Sequence, residues 1–474
     1  MRKKPFFLIA AASIICLLSS KAYAGDVDVL VNKLVEKGVL SPSEAQIVMD
    51  ETKLKVSKDL AEQKSYSVPD WTQRIKWGGD VRFRTQGDWG KNNTVNVGNN
   101  GIENQRIRNR IRGRFYMDAK VNDFTYASVR FAGGGENVRS TNDTTDNWWS
   151  KKYSMFDWYY FRFEAPAAVH RDFGQYFSDA KLWVGKFPIP FEYSELVWDP
   201  DTNPSGVAFQ YVSPDFGNKG IIPLFNIYSN TAMLWLNENQ SYTNDPILWG
   251  WQAGIKTDQF GPLGSTLNLS SAIYNFASVQ GRVPTGTAGT NTRTLGMDSV
   301  GTTADQGYRY GFCDFDLLVS IDNQKIFDFE FPHGFYGDYI HNMECAVDGL
   351  NSGFLLGGYI GKKKIKEPGD WKVRAEMRYI ERDAVPDFMP DSDFYGFGTN
   401  YTPSLASPAS ANNAGDNGLP AEGGTNGKGI NLAFEYQLFK NTSLNLEYYW
   451  MKPIKSTERT APWNELQVDV VTKF

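Results

Sequence analysis

Leu466-Gln467-Val468-Asp469-Val470-Val471-Thr472-Lys473-Phe474 ends the chain on an alternation of apolar and polar residues. Leu466, Val468, Val470, Thr472 and Phe474 share one face at period two, and Gln467, Asp469 and Lys473 share the other. Successive strand side chains point to opposite faces, so this is a strand with one apolar and one wet side, finished by an aromatic residue. A soluble sheet could supply one such strand. What decides the fold is whether the rest of the chain keeps the period.

It keeps it from Trp71 onward, through about sixteen candidate strands running from Arg74–Gln86 to Glu465–Phe474. That even number falls within the range of single-chain bacterial membrane barrels, which alternate short turns on one side with long loops on the other. Asn122-Asp123, Asn323 to Lys325 and Lys440-Asn441 are short, whereas Ala277 to Gly307 and Asp383 to Gly429 are long and rich in Gly, Thr, Asn and Ser. Pro166 to Asp179 and Pro214 to Pro223 are longer than the rule asks. Two structureless connections of such length are uncommon in a compact soluble domain. The expected fold is therefore all-β: a transmembrane antiparallel β-barrel of about sixteen strands over residues 71–474, preceded by a short helical periplasmic segment over 25–70.

Composition agrees with a barrel. Mean hydropathy is −0.43, because only every second strand residue meets lipid, and aromatics reach 15%. Residues 1–24 read as a cleaved secretory leader: Arg2, Lys3 and Lys4, an apolar run from Phe6 to Leu18, then Ala22-Tyr23-Ala24. The run is too short to span a bilayer, and Cys16 lies inside it rather than at the junction. Cleavage removes four basic residues and takes the formal net charge from −5 to −9, which argues against nucleic acid as a partner. The mature chain keeps only Cys313 and Cys345, which are not expected to form an essential disulfide, and it has no Cys-x-x-Cys-His for haem.

Between Asp26 and Ser67 the period is helical. Val27, Leu30, Val31, Leu34 and Val35 form one stripe that Gly38 ends, and Ser41-Pro42-Ser43-Glu44 is a capping box opening a second helix. These stripes need cover. Either the helices pack on themselves or the barrel, or they form a coiled-coil bundle between protomers.

The lumen is read from the second strand, where Arg106, Arg108, Arg110, Arg112 and Arg114 recur at period two. Facing lipid, each would cost about 2–4 kcal/mol near the midplane, so the row points inward with Ile107, Ile111 and Phe115 outward. Arg82, Arg84 and Arg130 extend this basic wall. Part of the row could be structural, braced by wall carboxylates such as Glu164 and Glu376. Phe187 to Ser205 is the candidate constriction. Its prolines keep it out of the wall, Phe191, Leu196, Val197 and Trp198 need burial, and Glu192, Glu195, Asp199 and Asp201 make it acidic. Folded inward, it would face the arginines across the narrowest point.

In this order the motifs resemble bacterial outer-membrane porins that carry a short helical segment before the barrel, and more distantly general and phosphate-selective porins. The residues involved are Leu34-Val35-Glu36-Lys37-Gly38 with the capping box, the arginine strand, Trp198-Asp199 in its loop, and Phe474, which resembles the terminal assembly signal of outer-membrane barrels. The resemblance implies a homotrimeric pore with residues 187–205 at the eyelet. It also implies outer-membrane lipid and the barrel-assembly machinery as partners. The helical segment departs from the general pattern and leaves the packing of the N-terminus open.

The leading function is passive diffusion of small hydrophilic solutes through a water-filled channel. Screening acts over about 8 Å, so charges lining the narrow part decide selectivity, and basic ones outnumber acidic ones there. A weak to moderate anion preference is expected. The alternative is a structural or adhesive barrel tethered through its helices. An enzyme is not expected: His170, His333 and His341 are the only histidines and sit in no nucleophile–base pattern. No cofactor is expected, and no metal site, since Asp199 to Asn203 lacks the closing Glu of a calcium loop.

Overall fold

A computed structural model describes parts of residues 31–51 and most of 73–474. Residues 1–30, 52–72, 92–102, 283–289, 298–302, 398–419, 456–461 and a few shorter stretches lie outside the described residues, as do the side chains of 103–106 and 293–306. The leader expected over 1–24, most of the helical segment and the Arg106 side chain therefore fall outside them.

The chain divides into units of residues 1–73 and 74–474. In the first, residues 33–36 and 48–51 are helical. Between them the capping box is formed. The Ser41 N–H (2.9 Å) and hydroxyl (2.6 Å) donate to the Glu44 carboxylate, and the Glu44 N–H returns to the Ser41 hydroxyl at 3.3 Å. These bonds hold the Glu44 carboxyl below its ordinary range.

The second unit is a closed barrel of sixteen antiparallel strands: β1 Ile75–Lys91, β2 Glu103–Lys120, β3 Thr125–Gly133, β4 Ser154–Glu164, β5 Asp179–Lys186, β6 Ser205–Val212, β7 Ile222–Trp235, β8 Ile247–Thr257, β9 Thr266–Ala277, β10 Phe312–Ile326, β11 Phe329–Asn342, β12 Ser352–Gly361, β13 Trp371–Ile380, β14 Gly427–Phe439, β15 Thr442–Pro453 and β16 Trp463–Lys473. Each pairs with the next, and β16 returns to β1 in a register running from Asp80↔Lys473 to Gly90↔Trp463. Beyond it, Phe474 exchanges both backbone hydrogen bonds with Gly79 at 3.0 Å. Closure leaves no edge, as a hydrocarbon surround demands.

The burial pattern is inverted relative to a soluble protein. Phe83 (48% exposed), Trp251 (52%) and Phe335 (62%) stand outward, while Gln86, Gln252 and Asp316 are at most 1% exposed inside. Large apolar side chains so displayed belong against lipid. The two over-long connections at the end where β1 begins and β16 finishes have their own structure: helix α1 Ala167–Phe173 in one, and the short strand Phe216–Asn218, paired to β7, in the other. Cys313 and Cys345 are both free thiols.

At the far end, one connection departs from expectation. Asp383 to Gly429 is expected as an outer loop, yet Ala384, Val385, Asp387, Met389 and Phe394 are at most 3% exposed and pack inside the barrel. Apolar and proline-rich like the 187–204 connection, this segment is better satisfied by a partner than by water.

Candidate pore constriction

The 187–204 connection leaves the wall where Gly185 takes φ +125°, a conformation that a side chain would resist. It then crosses the lumen. Phe191 and Trp198 pack on Tyr274 of β9 with ring centroids 5.1 and 5.9 Å away. Phe191 also lies over Gly250 of β8, where a Cβ would come within 2.4 Å of the ring. Polar groups fix the rest of the path. The Glu192 N–H donates to Gln252 Oε1 at 2.8 Å, the Ser194 hydroxyl to Asp338 Oδ2, and Asn203 to Asp157.

Its carboxylates do not all meet the arginines of β2, as expected from sequence. Asp201 does, at 3.3 Å from Arg114. Glu192 instead pairs with Lys256 of β8 at 3.1 Å. Glu195 reaches the opposite wall, bonding Arg378 and lying 3.7 Å from Arg374, both on β13. Asp199 turns to the second inward segment, where its carboxylate accepts the Ser392 N–H at 2.8 Å. The reason is geometric: a loop that spans the lumen presents its tip to the far wall.

The two inward segments form a clasp. Asp199 N–H donates to Met389 O at 2.7 Å, and Asp391 N–H to Glu195 O at 3.2 Å. Arg378, 1% exposed, joins them by bonding Glu195, Asp391 (2.6 Å) and Glu376 (2.8 Å). Arg139 adds bonds to the carbonyls of Asp387 and Pro390, and Asp387 accepts the Tyr308 hydroxyl at 2.7 Å. Burial pushes the Asp199 carboxyl up to about 7.

Along the wall, register places Arg82 opposite Arg112 and Arg84 opposite Arg110. Like charges so close repel unless carboxylates intervene. Asp80 bonds Arg112 (2.9 Å) and Arg114 (2.7 Å). Asp469 bonds Arg84 at 2.8 Å and lies 3.5 Å from Arg82, and Asp393 of the clasp is 3.2 Å from Arg84. Arg108 lies 3.6 Å from Asp88, Arg110 donates to Gln86, and Arg130 pairs with Asp157 while covering the Trp158 ring. Glu164 pairs with Arg162, and Glu376 with Arg374 and Arg378, so neither neutralises the β2 row.

A family model described as "Putative porin" matches residues 48–307 and 312–405. The chain belongs to that porin family. With its closed barrel, this makes it a non-enzymatic channel protein of the bacterial outer membrane. Solved structures with a similar chain path include Pseudomonas putida OprB at high pH (9% identity, 85% of this chain and 95% of that one, TM-score 0.48). Salmonella typhi OmpF with daunomycin matches at 11% identity, 84% and 97% coverage and TM-score 0.42. The outer membrane channel DcaP of Acinetobacter baumannii matches at 10%, 84% and 97%, and 0.39. No curated protein matches significantly.

In this porin the clasp covers the β8–β11 side of the lumen, and a polar cavity of about 140 Å³ lies on the β13–β1 side. Arg82, Arg84 and Arg374 line it together with Glu435, Glu447 and Asp469. Sequence reasoning missed Arg374 and Arg378, although Lys372, Arg374, Glu376 and Arg378 recur at the same period that exposed the β2 row. Among the described residues no cluster of His, Cys, Asp and Glu could hold a metal ion.

Proposed function

We propose that this porin passes small hydrophilic solutes by diffusion, with a weak preference for anions and zwitterions over cations, through the passage between the clasp and the basic β13–β2 arc. One observation carries this reading. On the wall, Arg108 (12% exposed) and Arg114 (18%) are more open to the lumen than Asp88 (6%) and Asp80 (10%), Arg112 is level with Asp80, and Arg84 (4%) lies behind Asp469 (7%). On the clasp side the carboxylates are forward, with Asp393 at 27% and Glu195 at 30%. A passing ion thus meets guanidinium on one side and carboxylate on the other, a transverse field. The test is the reversal potential of purified protein in asymmetric KCl. A small anion-selective value is expected, and clear cation selectivity would overturn the preference.

A secretory leader over 1–24, a periplasmic helical segment over 25–70 and insertion by the barrel-assembly machinery through Phe474 complete the proposal. So does a homotrimer. Strands β5 and β6 have eight residues each. Tilted about 45°, eight residues rise only about 19 Å, short of the roughly 25 Å apolar band. A second copy over this low wall would keep lipid from the connecting backbone. Sedimentation of the detergent complex tests it, and a monomeric mass would count against it.

A further inference from the structure

We infer that the cavity on the β13–β1 side is a binding subsite for a small zwitterion carrying one carboxylate and one ammonium group, so that passage of such solutes saturates. The inference rests on the channel reading above and names the solute class for it. Register sets the cavity's lining in two rows. Arg84, Asp469, Asn445 and Glu435 lie side by side across β1, β16, β15 and β14, and Gln467, Glu447, Ala433 and Arg374 across β16, β15, β14 and β13. Guanidiniums therefore stand at the two edges, and carboxylates and amides in the middle. With Arg82, the lining holds three guanidiniums against three carboxylates and has no formal net charge.

Most of this charge is already paired, as Arg374 with Glu447 and Arg84 with Asp469. The polar atoms left without a partner are of both kinds: Arg82 Nε is a donor, while Asn445 Oδ1 and Gln467 Oε1 are acceptors. Gln467 is 1% exposed. A buried amide oxygen with no donor costs free energy until something donates to it. An ammonium group supplies the donors that the amide oxygens lack, and a carboxylate supplies the acceptor that Arg82 Nε lacks. A simple anion or cation would meet only one half of the set and would add net charge to a balanced lining. A sugar is less well matched, because no aromatic ring lines the cavity to take its apolar face.

The test uses the full-length protein in proteoliposomes and planar bilayers, with β-alanine, propionate, propylammonium and glycerol as probes of similar size. Saturating flux for β-alanine, beside linear flux for the other three, is the expected result. The double variant Asn445→Leu with Gln467→Leu should weaken half-saturation by β-alanine about a hundredfold or more, the worth of two charge-assisted hydrogen bonds. Asn445→Asp, which keeps the shape and adds a carboxylate, should move the preference toward propylammonium. Heat-dependent electrophoretic mobility verifies that each variant is folded. Linear flux of β-alanine would overturn the subsite and leave the channel standing, and saturation by glycerol as well would overturn the zwitterion assignment. Absence of any conductance would instead remove the channel reading itself.

Discussion

Replacing Arg378 by Met tests the clasp at its centre. Methionine keeps much of the volume and removes the guanidinium, leaving Glu195, Asp391 and Glu376 around a site whose side chain was 1% exposed. Breaking a buried ion pair by deleting one partner typically costs about 3–5 kcal/mol, because the other charge is stranded. Here relief is available: Glu195 and Asp391 sit on inward segments that can swing away, whereas Glu376 is fixed in β13. At about 1.4 kcal/mol per factor of ten, even the lower figure shifts the balance between closed and open clasp by more than a hundredfold. The barrel, held by continuous ladders on both sides of β13, should survive. Single-channel recording should therefore show larger, noisier conductance, with a β-dominated circular dichroism spectrum unchanged. Adding Glu195→Gln and Asp391→Asn, which removes the stranded charges, should restore part of the closed state. Parent-like conductance in the single variant would refute the view that Arg378 holds the two segments.

Replacing Arg108, Arg110 and Arg112 together by Gln should move the reversal potential toward cations, since Asp88 then loses its basic neighbour and Asp80 keeps only Arg114; an unchanged value would mean that the row only braces the wall. Deleting Phe474 removes the two backbone bonds to Gly79, and the amount of barrel in outer-membrane fractions should fall, while material that does insert conducts normally. Burial raises the Asp199 carboxyl from its ordinary 3.8 to about 7, so its neutral form favours the closed clasp. That stabilisation is full below about pH 4 and is lost as pH rises to 7. Channel noise should rise between pH 5 and pH 8 and stay flat in Asp199→Asn.

The barrel was legible because lipid imposes a rule on every second residue: Val81-Arg82-Phe83-Arg84 and Leu466-Gln467-Val468-Asp469 declare their two faces without reference to any partner. Each of the sixteen observed strands overlaps one expected from that period. Who meets whom inside was much less so. Period two says that Arg84 faces the lumen, but not that register brings it to Asp469, nor that Asp393 folds in from a connection read as external. Ala384-Val385-Pro386-Asp387-Phe388-Met389-Pro390 has the same apolar, proline-rich character as the 187–204 connection, and that likeness was the available signal. The path of Glu195 across to Arg378 had none, because it depends on how far an irregular segment reaches.

The β1–β16 seam sets a schedule on biosynthesis. Arg84 and Asp469 are separated by 385 positions, so the bond between them cannot form until nearly the whole polypeptide has been made. Joining ends that far apart costs about 5 kcal/mol of loop entropy beyond a constant, and nothing local repays it in advance. A chain cut short before Trp463 would lose both ladders of β16 and present β1 and β15 as two raw edges, which are templates for pairing with neighbours. Completion of the cylinder thus doubles as proof that translation reached its end, and a truncated product announces itself by its stickiness.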